Sequence, residues 1–459
     1  MADAQPDVPL RTKFLYGIGE LGINLKNETV NRYLLFFYAD TLHVSPSAIG
    51  VMMLLSKAWD AVADPGIGYL SDTTRSRWGR RRPYVLAGAI PMGLCFYLLF
   101  APPQGLGHDA LLAYMLAMSV GLYTFFTIFT VPYLAWGAEL AQNYHERTAI
   151  VQIRALCGLV GGIAGASLPL ILVSAGGGDV RSGFATMALV LGAVVAVSGL
   201  VPAVAVTDHN REGLPVASFG HFLGGLTKTF ANRDFRIIFV TFCLMTISAA
   251  MGNAIQLVVV KYRLNMESVF PLLALTFGIS FALSFPFWLR LSRRLGKSRA
   301  MLLGLACGVV TPLGWVIVQP GQVGAMLVFM VVGGVVTGCL TLAGSQAIDI
   351  VDLDELVTGE QRAGAYFGIW AFGLQLAVAV GQFFGGLLLD LVGYVPGVTQ
   401  DPSTLWWLVM LIGPLQSLVT LCGLLVFRRY RYDAADVAAV QAALAARRAE
   451  TSTLPGGEN

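Results

Sequence analysis

Twelve blocks of predominantly apolar residues, set apart by charged residues, glycine and proline, run the length of the 459-residue chain. They fall near 14–39, 46–71, 83–101, 110–137, 148–175, 184–206, 235–260, 267–291, 299–319, 322–348, 363–391 and 404–427. Most reach or exceed the roughly 20 residues that carry an α-helix across a bilayer. Within hydrocarbon every backbone donor and acceptor needs a partner in its own segment, so each block is expected as a helix. The length would also suit two or three soluble domains, but 56% of the residues are apolar and 12% charged, about half the charge of a soluble domain. The sequence therefore predicts an all-α membrane protein with twelve transmembrane helices.

Charge then orients the chain. Arg75, Arg77, Arg80, Arg81 and Arg82 follow the second block, and Arg290, Arg293, Arg294, Lys297 and Arg299 follow the eighth. The N-terminus, the 207–233 segment and the tail from Arg428 are also basic, whereas the opposite loops hold only Arg181, Lys261 and Arg263. By the positive-inside rule both termini and the 207–233 segment are expected in the cytoplasm of a multi-pass protein of the cell (inner) membrane. The net charge of +3 thus reports sidedness and implies no nucleic-acid partner. The six cysteines lie far apart in apolar blocks without metal-ligand spacing, and read as small packing residues. The short polar stretch before the first block lacks a cleavable signal pattern, so the first helix is expected to stay.

A duplication is visible. Blocks 2 and 8 each lead into a short basic loop with Gly79-Arg80 or Gly296-Lys297, and a polar linker lies midway. The predicted organisation is an N-terminal six-helix bundle (1–206), a cytoplasmic linker (207–233), a C-terminal six-helix bundle (234–427) and a cytoplasmic tail (428–459) whose last residues are rich enough in Ala, Arg and Glu for a short helix. Parallel six-helix repeats with a site between them near the bilayer midplane are a transporter architecture.

Ionisable residues at membrane depth are the candidate functional groups. In block 1, Glu20, Asn24, Asn27 and Asn31 stand at i, i+4, i+7 and i+11 and share one helical face. They either line a water-filled cavity for a polar substrate or join helices. Lys26 and Glu28 lie off that face, and Glu28 with Arg32 forms an i,i+4 pair. In block 2, Lys57, Asp60 and Asp64 share a face. The two acids can ligate Na+ or share a proton; the competing reading is a Lys57–carboxylate pair that only packs helices. Asp72 is placed to pair with the arginines of its loop, Arg80 and Arg81 among them, as a conformational latch on top of the loop's topogenic role. Arg154 is the arginine expected inside the bundle, either offering its fork of donors to substrate or pairing with Glu20 or Asp60. His145 and Glu146 read as loop residues, and the acidic run from Asp349 through Asp352, Asp354 and Glu355 to Arg362 as a helix end that bridges to the basic loops. No nucleophile, base and orienting acid stand together as in a hydrolase, and neither enzyme chemistry, a cofactor nor a metal is expected.

The motifs Gly17-Ile-Gly-Glu-Leu-Gly-Ile-Asn24, Tyr33-Leu-Leu-Phe-Phe-Tyr-Ala-Asp40, Trp59-Asp60-Ala-Val-Ala-Asp64-Pro65 with Gly79-Arg80, His145-Glu-Arg-Thr148, and Asp349 to Gly359 with Arg362 resemble, over nearly the full length, the glycoside-pentoside-hexuronide:cation symporters of the major facilitator superfamily, the melibiose-carrier type. The resemblance implies a cation-coupled sugar or glycoside symporter working by alternating access. Asp60, Asp64 and Thr127 match its cation-coupling residues. Glu20 and Arg154 match its sugar contacts, with Asn24, Asn27 and Gln375 as further substrate-binding candidates. Lys57, Asp72, Arg80, Arg81, Asp352 and Arg362 are the gating candidates. The chain departs from the pattern where Ala63 replaces an asparagine oxygen before the second acid, which favours H+ over Na+. It also has Thr130 for an aspartate, Leu134 for an aromatic residue and Gln375 for a lysine, so melibiose itself is a poor candidate. A glycoside, pentoside, hexuronide or lysolipid remains open as the small-molecule substrate. Membrane lipid is the surrounding partner, a monomer is expected, and a non-transporting membrane receptor of the same fold is the alternative.

Overall fold

The structure, a computed structural model, describes residues 8–140, 144–207, 229–359, 362–432, 436–437, 439–444 and 446. Residues 208–228 of the expected linker and most of the expected tail helix lie outside the described residues, as does the His145 side chain.

All regular structure among the described residues is helical. The long helices are α1 (Leu10–Phe36), α2 (Pro46–Thr73), α3 (Arg82–Phe100), α4 (His108–Leu140), α5 (Tyr144–Ala175) and α6 (Val180–Ala205). They continue with α7 (Arg233–Tyr262), α8 (Phe270–Leu295), α9 (Lys297–Val310, carried on by tight turns to Ile317) and α10 (Val323–Thr337 continuing as Thr341–Thr358). The last two are α11 (Ala363–Leu391) and α12 (Pro402–Met410 continuing through a π-turn to Phe427). Ten of these helical stretches, α3 to α12, are long and apolar enough to cross a membrane. The first two have the length, at 27 and 28 residues, but carry ionisable groups through their middles: Glu20, Lys26, Glu28 and Arg32 in α1, and Lys57, Asp60 and Asp64 in α2.

Helix ends differ from the sequence reading in one informative place. The tenth block was expected to end at 348, yet α10 runs on through the acidic residues to Thr358 and stops at Gly359, whose φ of +74° is open to glycine without strain. The acidic run is thus the last turns of a helix, its carboxylates spread round the axis, and Asp349 and Asp354 are the buried ones.

Small residues set the closest approach. Helix α1 lies against α5, where a Cβ added at Gly161 would stand 2.1 Å from the Leu21 carbonyl oxygen and one at Gly165 would stand 2.4 Å from that of Leu25. Backbones in lipid pack tightly where side chains are absent. Helices α1 and α4 are clamped reciprocally: the Tyr16 hydroxyl donates to the Tyr133 carbonyl at 2.6 Å, the Tyr133 hydroxyl donates to the Tyr16 carbonyl at 2.8 Å, and the rings stack at 4.6 Å. Further packing joins α3 with α4 and α6, α7 with α11 and α12, and α8 with α10, while α2 meets α11, α5 meets α8 and α1 meets α7.

Beyond α1 the chain makes a π-turn, Phe37–Thr41, that turns Asp40 inward. Its carboxylate accepts from Lys261 at 2.6 Å, from the Tyr394 hydroxyl at 2.7 Å and from the Tyr262 hydroxyl. Beside it Asp390 accepts from the Ser45 hydroxyl at 2.7 Å and the Ser47 amide at 2.8 Å, capping α2. These bonds tie the α1–α2 corner to α7 and α11 at the end away from the basic loops.

Candidate functional site

Helix α2 presents Asp60 and Asp64 to α4. The Thr127 hydroxyl lies between them, 2.7 Å from an oxygen of Asp60 and 3.0 Å from an oxygen of Asp64. Asp60 is 1% exposed and its other oxygen has no hydrogen-bond partner among the described residues. Pro65 has no N–H to give to the carbonyl of Ala61, so the turn carrying both acids also has a backbone oxygen that the helix does not use. From α11, the Gln375 amide nitrogen reaches Asp64 at 3.2 Å. Expected from the sequence to face substrate, Gln375 instead stands on the acid pair.

Two lysines surround this pair. The Lys57 ammonium lies 4.7 Å from the centre of the Tyr123 ring, and among the described residues no ion pair within 4 Å joins it to Asp60 or Asp64. Lys26, which lies off the polar stripe of α1, is fully buried, with its ammonium 3.4 Å from the centre of the Phe126 ring and 4.9 Å from that of Tyr123, and without a hydrogen-bond acceptor among the described residues. Cation–π attraction, up to about 2 kcal/mol when desolvated, compensates part of its burial. The neighbourhood therefore holds two acids and two bases, whereas the sequence reading counted one base. The signal that would have found it is a lysine whose neighbours on its own helical face, at i±3 and i±4, are Gly22, Ile23, Thr29 and Val30.

The other side of α1 lines a cavity of about 680 Å³ between α1, α5, α7, α8, α9, α10 and α12. Glu20, Asn24, Glu28 and Arg32 face it, an i+4 row, while Asn27 and Asn31 lie outside it and Asn31 accepts from Gln382 at 2.6 Å. Glu20 pairs with Arg154, which stands behind it at 3.3 Å, and accepts weakly from Asn24 at 3.3 Å. Of the two partners the sequence left open for Arg154, Glu20 is the one it meets. Gly158 makes room for this group, since a Cβ there would fall 2.8 Å from the Asn24 amide nitrogen. Further along, Arg32 donates to Glu28 at 3.0 Å and, across to α7, to the Gln256 carbonyl oxygen at 2.8 Å. Asn253 and Gln416 add amides, and Phe277, Phe281, Trp315 and Phe329 form an apolar wall opposite.

The gating candidates separate into local groups. Arg81 bonds Asp72 at 2.5 Å, and both Arg80 and Arg81 bond Glu139 of α4 at 2.6 and 3.0 Å. Glu139, the anchor of this loop, is a residue the sequence reading missed. Lys297 bonds Asp349 at 2.6 Å and Arg362 bonds Asp354 at 2.9 Å, while Asp352 forms no ion pair among the described residues. Among the described residues, the ion pairs of these gating candidates link α2–α4 among themselves and α9–α11 among themselves. The acidic run thus meets the basic loop after α8, and no described ion pair reaches from it to the loop after α2. Glu146, expected in a loop, starts α5 and binds Lys13 at 2.8 Å.

The family model for the MFS/sugar transport protein matches residues 15–434. The chain is 28% identical over 427 residues to an uncharacterized symporter, YnaJ, of Bacillus subtilis, covering 91% of each protein. It is 26% identical to the isoprimeverose transporter of Lactiplantibacillus pentosus, over 87% of this chain and 84% of the relative. Among solved structures the nucleoside transporter NupG superposes with a TM-score of 0.65 at 16% identity, over 92% of this chain and all of NupG, which is a likeness of fold. The long buried-acid helices, the cavity beside them and a family match over nearly the whole chain agree: this multi-pass membrane protein is a transporter and not an enzyme, and it belongs to the MFS/sugar transport protein family, among the glycoside-pentoside-hexuronide cation symporters that its motifs resemble.

Proposed function

We propose that the protein is a proton-coupled symporter of a sugar or glycoside in which α1 links an ion site on one face to a substrate cavity on the other. The observation that carries this is the single Thr127 hydroxyl within hydrogen-bonding distance of two carboxylates, buried Asp60 and half-buried Asp64. A hydroxyl donates once, so it satisfies both acids only if one of them donates back. That arrangement suits one shared proton. A bound Na+ would need a shell of oxygens, and Ala63 contributes none.

In this reading α1 to α12 all span the membrane, α1–α6 and α7–α12 form two bundles, and both termini face the cytoplasm. The basic loops after α2 and α8 support that orientation. Gln375 supports communication between the bundles, because it ties Asp64 of α2 to α11. Loading a proton at the acid pair changes what Gln375 and α1 meet, and substrate binding at Glu20, Asn24 and Arg154 is favoured in return, since coupling of two ligands is reciprocal. Alternating access then opens the tie at Asp40 and brings the basic-loop ends of the two bundles together in its place.

The test is uptake into proteoliposomes of a labelled neutral glycoside, driven in turn by a pH gradient and a Na+ gradient. The pH gradient alone is expected to drive accumulation, and Asp64→Asn to abolish accumulation while keeping substrate exchange. Accumulation driven by Na+ at constant pH would replace the proton with Na+. Binding without flux under either gradient would replace the transporter with a receptor. A second reading, an amphiphile such as a lysolipid as substrate, is favoured by the aromatic wall opposite α1. It predicts that lysolipids outcompete sugars in the same assay.

A further inference from the structure

The polar wall of the cavity has two separate groups. The inner one is Glu20 with Asn24 and Arg154. The outer one is Glu28 with Arg32, joined to Gln256, with the Asn253 amide beside it. Glu20 and Glu28 are eight residues apart on one helix, about 12 Å along its axis at 1.5 Å per residue. One pyranose ring is too short to touch both groups, and two linked rings are long enough.

Charge narrows the class further. Each glutamate has its own guanidinium, Glu20 with Arg154 and Glu28 with Arg32, so the pairs cancel. A uronate carboxylate or a lysolipid phosphate would enter a wall with no uncompensated cation and two carboxylates. Hydroxyl groups instead suit such a wall, because the Arg32 guanidinium has donors to spare and the Glu28 carboxylate has a second oxygen to accept with, while Arg154 neutralises Glu20 from behind. Asn253 makes no hydrogen bond to the described residues although it lines the cavity, which leaves its amide for a ligand.

We propose that Glu28, Arg32, Asn253 and Gln256 form an outer sugar subsite, and that the substrate is a neutral glycoside of two linked rings. The inference rests on the sugar-transport reading and adds to it the length and charge of the substrate. The Arg32–Gln256 bond closes the subsite when it is empty, and a ring hydroxyl takes the place of the glutamine oxygen when it is filled.

Purified protein is titrated by thermal shift, and in parallel by counterflow in proteoliposomes, with xylobiose and cellobiose, with xylose and glucose, with methyl glucuronide and with lysophosphatidylcholine. Neutral disaccharides are expected to bind at least about tenfold more tightly than their monosaccharides, and methyl glucuronide more weakly than glucose. Gln256→Ala and, separately, Asn253→Ala should lower disaccharide affinity about tenfold and monosaccharide affinity less than twofold. Equal affinity for one ring and two, equal losses for both in the variants, or tighter binding of the glucuronide overturns the subsite while leaving sugar transport standing. So does a change in counterflow rate with affinity unchanged, which makes the Arg32–Gln256 bond a gate only. Binding of lysophosphatidylcholine with no response to any sugar overturns the sugar reading itself.

Discussion

Replacing Thr127 by valine removes one oxygen and keeps the shape of the side chain. That oxygen is 2.7 Å from Asp60 and 3.0 Å from Asp64, and the acid pair has few other neutral partners. Hydrogen bonds to charged groups contribute about 1.5–3 kcal/mol each. That bond is lost from the ionised pair and from the singly protonated pair alike, so the difference is the neutral bond that the protonated acid donates back to Thr127, about 1 kcal/mol, and the proton concentration for half-maximal uptake rises about fivefold, since 1.4 kcal/mol is a factor of ten. Thr127→Ser keeps the hydroxyl and is expected to stay within about twofold of the parent. The assay is initial uptake of a neutral glycoside into proteoliposomes as a function of external pH at fixed Na+, and of Na+ at fixed pH. The substrate KM at saturating ion is the control, because Thr127 lies outside the cavity and a structural collapse would move both. If Thr127→Val leaves the ion dependence within twofold of Thr127→Ser, the hydroxyl is not a ligand of the coupling ion and the shared-proton geometry is refuted.

Lys26→Met replaces a fully buried ammonium that has only ring faces as partners. Burying a charge costs several kcal/mol, so the variant is expected to melt at or above the parent temperature while its uptake shifts in pH dependence; a melting temperature more than about 5 °C lower would show that the lysine is needed for packing. Asp40→Asn weakens three contacts that hold the α1–α2 corner to α7 and α11. A cysteine placed at buried Val44 should then react at least tenfold faster with a membrane-impermeant maleimide from the side away from the basic loops, and unchanged labelling would show that the tie does not hold that end closed. Gly161→Ala puts a Cβ 2.1 Å from the Leu21 carbonyl and is expected to destabilise by about 1–3 kcal/mol, seen as a lower melting temperature, whereas a gain would mean that α1 and α5 move apart freely.

Hydrophobic blocks made most of the helices legible in the sequence, because length and apolarity are local properties. The cavity-facing row was legible only in part. Glu20, Asn24, Asn27 and Asn31 run nearly straight along α1, but the cavity follows Glu20, Asn24, Glu28 and Arg32, a row that turns by about 40° with each step of four residues. Helices that cross α1 at an angle follow such inclined ridges, and no single sequence records the crossing angle. Asp60, Asp64 and Thr127 were recognisable from their motifs, yet Gln375 was assigned to substrate because its separation from Asp64, 311 residues along the chain, hides their contact. The Asp40 tie was invisible for the same reason, its partners lying 221 to 354 residues away. Lys26 was in plain view and was set aside because it lay off the polar stripe.

The two helices too charged to count as apolar spans also leave the ribosome before α3 to α12. During insertion a lysine or aspartate at mid-membrane costs about 2.5–3.5 kcal/mol, so Lys57, Asp60 and Asp64 together oppose entry of α2 by up to roughly 10 kcal/mol. Nothing within α2 offsets this, and the Thr127 hydroxyl and the Gln375 amide arrive later, the second only when α11 is made. Helices α1 and α2 are therefore expected to enter the membrane stably only once α4 and α5 are present to receive them. The groups proposed for ion coupling are thus the same ones that oppose insertion of the helix carrying them, and a truncation that ends before α4 is expected to fail to hold α2 in the bilayer.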